Sequence, residues 1–91
     1  MAYKIKWSKT AEKQFNKLDK PIRERINEYL EKVANSKNPK AFAKSLRNNY
    51  SGLCSFRVAD KYRIIAEIQD DKLIIYIVSV GKREIVYDDI D

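Results

Sequence analysis

The sequence predicts an α+β domain, an antiparallel sheet of about four strands packed against an N-terminal two-helix hairpin, in the order β-α-α-β-β-β. Three observations predict it. Apolar residues recur at helical spacing in the first half, while runs rich in Ile, Val, Tyr and Phe fill the second. With 2 Gly and 2 Pro in 91 residues, the joints between elements must be short. A chain of this length holds one small core, so residues 1–91 read as one domain.

Each element has its own signal. Residues 3–7 alternate apolar and polar, placing Tyr3, Ile5 and Trp7 on one face of a strand. Ser8 stands where an N-cap belongs, and Ala11, Phe15 and Leu18 follow at helical spacing for about three turns. Asp19 and Pro21 suit the cap and first turn of a second helix, whose apolar stripe is Ile22, Ile26, Tyr29, Leu30 and Val33. The cluster at residues 35–39 breaks it, and Ala41, Phe42 and Leu46 suggest a short third helical turn. Strands are expected at residues 53–58, 62–69 and 72–80, joined by Ala59-Asp60-Lys61 and Asp70-Asp71 as an antiparallel meander. The last run is apolar on both alternating sets and reads as a central strand covered on both sides, the helices on one and something else, such as a partner protein, on the other.

Composition removes whole classes of chemistry. With no His and a single Cys, Ser-His-Asp and Cys-His catalysis, zinc fingers and a disulfide framework are excluded. Cys54 reads as a small core residue. The longest apolar run, residues 73–80, is far short of the roughly 20 residues a bilayer needs. The N-terminus lacks the apolar stretch of a signal peptide, and a lone thiol suits a reducing compartment, so the cytoplasm is the expected location. The formal charge of +6 is unevenly spread: residues 1–50 carry 13 Lys+Arg and 5 Asp+Glu, residues 51–91 carry 6 and 8. Basic surfaces attract polyanions, which makes nucleic acid the first partner to test. The stripe Lys9, Lys13, Lys17 and Lys20, with Arg23 and Arg25 behind it, is either a surface that tracks an RNA backbone or an ordinary solvated helix face.

A family resemblance rests on four stretches. They are Ile77-Val78-Ser79-Val80-Gly81-Lys82-Arg83-Glu84 with Val86-Tyr87 after it, Lys17-Leu18-Asp19-Lys20-Pro21-Ile22-Arg23, Leu53 through Arg57, and Tyr62-Arg63-Ile64-Ile65. Together with the element order they resemble the RelE toxins of the RelE/ParE toxin–antitoxin superfamily. The resemblance implies a ribosome-dependent mRNA interferase, cutting mRNA in the ribosomal A site without a metal or other cofactor. It also implies a RelB-like antitoxin as hetero-oligomeric partner, and contact with 16S rRNA and mRNA. A ParE-like inhibitor of DNA gyrase, acting by binding alone, is the alternative.

The chemistry implied is attack of the RNA 2′-hydroxyl on the adjacent phosphate. It needs a base at the 2′-OH, cations at the non-bridging oxygens and an acid for the departing 5′-oxygen. By resemblance Arg63, Arg83 and Tyr87 are catalytic, with Tyr87 at the 2′-OH and Arg83 at the leaving oxygen. Phosphate or RNA binding falls to Arg57, Lys44, Arg47, Lys61 and Lys82. Read from the residues alone, Arg63 either forks onto a phosphate or pairs with Glu67 or a neighbouring strand. Many relatives carry a Lys near Ser55, so one cation is missing here; either Lys44, Arg47 or Lys61 substitutes for it or the activity is weaker.

Overall fold

The computed structural model describes residues 2–45 and 52–82. Its elements run β1 (Lys4–Trp7), α1 (Lys9–Asn16), α2 (Lys20–Ala34), a one-turn 3-10 helix (Pro39–Phe42), β2 (Lys44–Ser45), β3 (Cys54–Val58), β4 (Tyr62–Gln69) and β5 (Ile74–Lys82). The strands form one sheet in the order β1-β5-β4-β3-β2.

The helices start where the sequence places them. Ser8 caps α1, its hydroxyl accepting from Ala11 N at 3.0 Å. Asp19 holds the cap position of α2 in extended backbone without a side-chain cap bond. Pro21 sits at the second helical position and removes one of the two N–H groups such a cap uses. Both helices lay their apolar stripe on one face of the sheet. Ala11, Ile26, Leu30, Val33 and Ala34 meet Phe56, Val58, Ile64, Ala66, Ile75, Ile77 and Val80, all buried. Aromatic rings close the margins: Trp7 and Phe15 lie 4.9 Å apart, and Tyr29 meets Phe56 edge-on at 6.2 Å.

Three expectations are corrected. The sheet is mixed, because β1 pairs with β5 in parallel, Lys4 opposite Ile74 through Trp7 opposite Ile77. The meander β3-β4-β5 is antiparallel as expected. The third helical turn is a 3-10 turn over Pro39–Phe42, followed by the two-residue edge strand β2 rather than more helix. Finally, β5 starts two residues later and runs further, through Gly81 and Lys82. The joint before it takes four residues, with Leu73 in left-handed backbone at φ 55. No helix among the described residues is long and apolar enough to cross a membrane.

The alternation of β3 and β4 sends Ser55, Arg57, Arg63 and Ile65 to the face away from the helices. On that face Ser55, Arg63 and Ile65 are buried, whereas Tyr76 on β5 is exposed.

Candidate active site

The sheet's register sets the site. Arg57 on β3 lies directly opposite Arg63 on β4, and Arg63 lies opposite Gly81 on β5. Two guanidinium side chains therefore stand on one face as a cross-strand pair, flanked by a residue with no side chain. Like charges directly opposite one another destabilise a sheet. Two residues along, Ser55 pairs with Lys44 on β2, so the exposed Lys44 shares the face and the row of the missing cation. One more cation, the exposed Lys61, stands in the turn that joins β3 to β4.

Arg63 is held from behind. Only 9% exposed, it donates from Nη1 to the carbonyls of Asp60 at 3.1 Å and Tyr62 at 3.2 Å. The turn that presents the Asp60 carbonyl has both Ala59 and Asp60 in left-handed backbone, at φ 52 and 59. Sequence reading missed this cradle, although an Asp in a short joint was its signal, since Asp tolerates that backbone. Glu67 is not the partner of Arg63: it accepts from Gln69 and pairs across the strands with Tyr76. Among the described residues no carboxylate meets the Arg63 guanidinium.

Lys82 falls elsewhere. It lies opposite Tyr62, on the alternation that faces the helices, and lines a cleft of about 360 Å³ with Gln14, Lys17, Leu18, Asp19, Tyr62, Val80 and Gly81. Arg83, Tyr87 and Arg47 lie outside the described residues. Cys54 is buried in β3, and burial pushes its thiol pKa up, away from reactivity.

A helical hairpin over one face of a mixed sheet, with two guanidinium groups on the other that meet no carboxylate among the described residues, defines the class: a small α+β domain with a pair of cations on the sheet face away from its helices. A family model described as the ParE toxin of the type II toxin–antitoxin system parDE matches residues 5–87. A RelE-like toxin protein of Escherichia coli is 33% identical over 85 residues, covering 92% of this chain and 86% of that one. The mRNA interferase toxin RelE of Escherichia coli K12 is 31% identical over 84 residues, with the same coverage of 92% and 86%. Among solved structures, the RelBE2 toxin–antitoxin complex of Mycobacterium tuberculosis aligns with a TM-score of 0.81 at 25% identity, over 91% of this chain and 93% of that one. A free mutant of the E. coli toxin RelE aligns with a TM-score of 0.75 at 28% identity, over 93% and 87%. The chain belongs to the RelE family of toxins, within the RelE/ParE superfamily of type II toxin–antitoxin systems.

Proposed function

We propose that this RelE-family toxin is a ribosome-dependent mRNA interferase that cleaves without a metal ion. The observation that carries the reading is the Arg57–Arg63 cross-strand pair, which has no carboxylate between its members among the described residues. Such a pair carries a standing repulsion that a bound phosphate would offset, and two planar guanidinium groups suit its oxygens. Relatives named as mRNA interferases support the choice of RNA over gyrase as target.

In the proposed reaction the substrate 2′-hydroxyl loses its proton and its oxygen bonds to the adjacent phosphorus. The bond from phosphorus to the 5′-oxygen breaks, and that oxygen takes up a proton, leaving a 2′,3′-cyclic phosphate and a 5′-hydroxyl. Arg57 and Arg63 neutralise the charge that builds on the phosphoryl oxygens, and Lys44 supplies the cation that Ser55 cannot. Tyr87 acts at the 2′-OH and Arg83 at the 5′-oxygen. Arg47 and Lys61 contact the RNA backbone. The Asp60 and Tyr62 carbonyls hold Arg63 in place before substrate arrives, so little reorganisation is left for the reaction. A RelB-like antitoxin is the proposed partner in the resting cell, as in the RelB–RelE complexes among the structural relatives.

The test is purified protein in cell-free translation, with breaks in the mRNA mapped against the ribosomal A site. Wild type is expected to cut there, and Arg63→Ala to cut about 10²- to 10³-fold more slowly with its fold intact. Intact mRNA together with loss of supercoiling by DNA gyrase would establish the ParE-like reading instead.

A further inference from the structure

β1 ends at Trp7, opposite Ile77, so beyond that point β5 has no strand on its outer side among the described residues. The register with β4 also slips there: Ile65 pairs with Ser79 but Ala66 pairs with Ile77, which leaves Val78 as the extra residue of a bulge. The polar groups released by both events are taken up from α1 and its cap. Ser8 donates from its hydroxyl to the Val78 carbonyl at 2.9 Å. Gln14 accepts twice on its amide oxygen, from Val80 N at 2.9 Å and from the Ser79 hydroxyl at 3.0 Å. Ser79 and Val80 are 0% and 1% exposed, so water is no substitute acceptor.

The residue after this double contact is Gly81, opposite Arg63. The cleft lined by Gln14, Tyr62, Val80, Gly81 and Lys82 lies alongside. Resting on the interferase reading above, we infer that Gln14 is a positioning residue: its amide oxygen stands in for the missing strand and fixes where the end of β5 lies relative to Arg63. Among the described residues Gln14 reaches the phosphate site through Val80 and Gly81, and its contribution is to alignment at the reacting phosphate rather than to binding.

Gln14→Ala removes the acceptor, and Gln14→Met removes it while keeping the bulk. Gln14→Glu keeps an acceptor oxygen at the same reach, with Lys17 and Lys82 on the same cleft to accommodate its charge. In hydrogen exchange on the full-length protein, the Val80 amide is expected to lose protection with Ala and Met and to keep it with Glu. In cell-free translation, kcat for mRNA cleavage should fall about 10- to 100-fold with Ala and Met, with KM within about twofold of wild type, and recover with Glu. Should Ala fail to fold, the Met and Glu pair decides the question. Wild-type protection of Val80 in the Met variant, wild-type kcat in that variant, or a Glu variant no better than Met, would each overturn the inference. A wild type that cuts no mRNA would sink the interferase reading instead, and the exchange measurement would still decide whether Gln14 pins the strand.

Discussion

Arg63 carries its charge into a site only 9% exposed and meets there the carbonyls of Asp60 and Tyr62. Carbonyl dipoles hold a guanidinium in orientation without neutralising it, so its full charge stays available to a ligand anion. Lysine at this position would bring one ammonium in place of a planar fork, and Arg63→Lys is expected to lose most cleavage activity although the formal charge is kept. Arg57 is different, being exposed and set against a like charge. Arg57→Gln relieves a repulsion that costs a few tenths of a kcal/mol in such pairs, so unfolding in urea should show stability unchanged or raised by up to about 0.5 kcal/mol. The same variant is expected to bind and cleave RNA less well. Stability and activity moving in opposite directions would mark Arg57 as kept for function, and a variant that lost both would place it in the fold's support.

Among the elements, the β3–β4 hairpin holds its residues against their preference. Ala59 sits at φ 52, a conformation that costs an L-residue roughly 1–2 kcal/mol and glycine almost nothing. Ala59→Gly is therefore expected to raise the unfolding free energy by up to about 1 kcal/mol, with Arg63 still held by the Asp60 carbonyl. The β4–β5 turn is tied down differently. Asp70 accepts from the Tyr3 hydroxyl at 2.6 Å and pairs with Lys40 at 2.9 Å, joining the turn to the start of β1 and to the 3-10 turn. The Tyr3 hydrogen bond, and then Lys40, hold the Asp70 carboxyl below its ordinary value of 3.8, while Asp70 raises both Tyr3 and Lys40 above 10.0 and 10.5. A lowered carboxylate contributes stability above its ordinary pKa and loses it as pH falls through the folded value. The raised groups contribute below theirs and lose it at alkaline pH. Thermal unfolding of wild type and Asp70→Asn should accordingly separate at neutral pH and converge in acid, as pH falls below 3.8 and through the lowered folded value. Much of this layer was legible in the sequence. The caps at Ser8 and Asp19 and the strand Tyr62–Gln69 follow from residue type and period alone. The parallel pairing of β1 with β5 did not, because alternation tells which face a residue takes and says nothing of which strand lies beside it. Gln14 was invisible for a related reason: a polar residue on an amphipathic helix reads as solvated until the fold places a strand end against it. For the cation missing at Ser55 the sequence left Lys44, Arg47 and Lys61 as substitutes, and the register sets Lys44 opposite it.

At the scale of the whole molecule, most of the positive charge and most of the candidate chemistry lie in different halves of the chain. Residues 1–50 hold 13 Lys+Arg against 5 Asp+Glu, whereas β3, β4 and β5, which carry the Arg57–Arg63 row, belong to a half with 6 against 8. The helix cations Lys9, Lys13, Lys17 and Lys20 are exposed, and among the described residues none of them makes an ion pair. Exposed, unpaired cations are suited to a polyanion surface that they meet without desolvation, and their contribution to affinity appears as counterions released. On the interferase reading that surface is ribosomal RNA, and the helices dock the molecule while the sheet face acts on the message. Replacing these four lysines with Gln should weaken ribosome binding. The dependence of log affinity on log salt should flatten by roughly 0.7 to 0.9 per cation removed that contacts a phosphate. The rate of cleavage once bound should stay near wild type. Arg63→Ala should do the reverse, lowering the rate while leaving the salt dependence of ribosome binding almost as it was. A sedimentation titration of each variant with ribosomes at several salt concentrations, beside single-turnover cleavage, reads both quantities. If the lysine variant kept the wild-type salt slope, the first half's charge would be ordinary helix solvation, and docking would have to come from the sheet face itself.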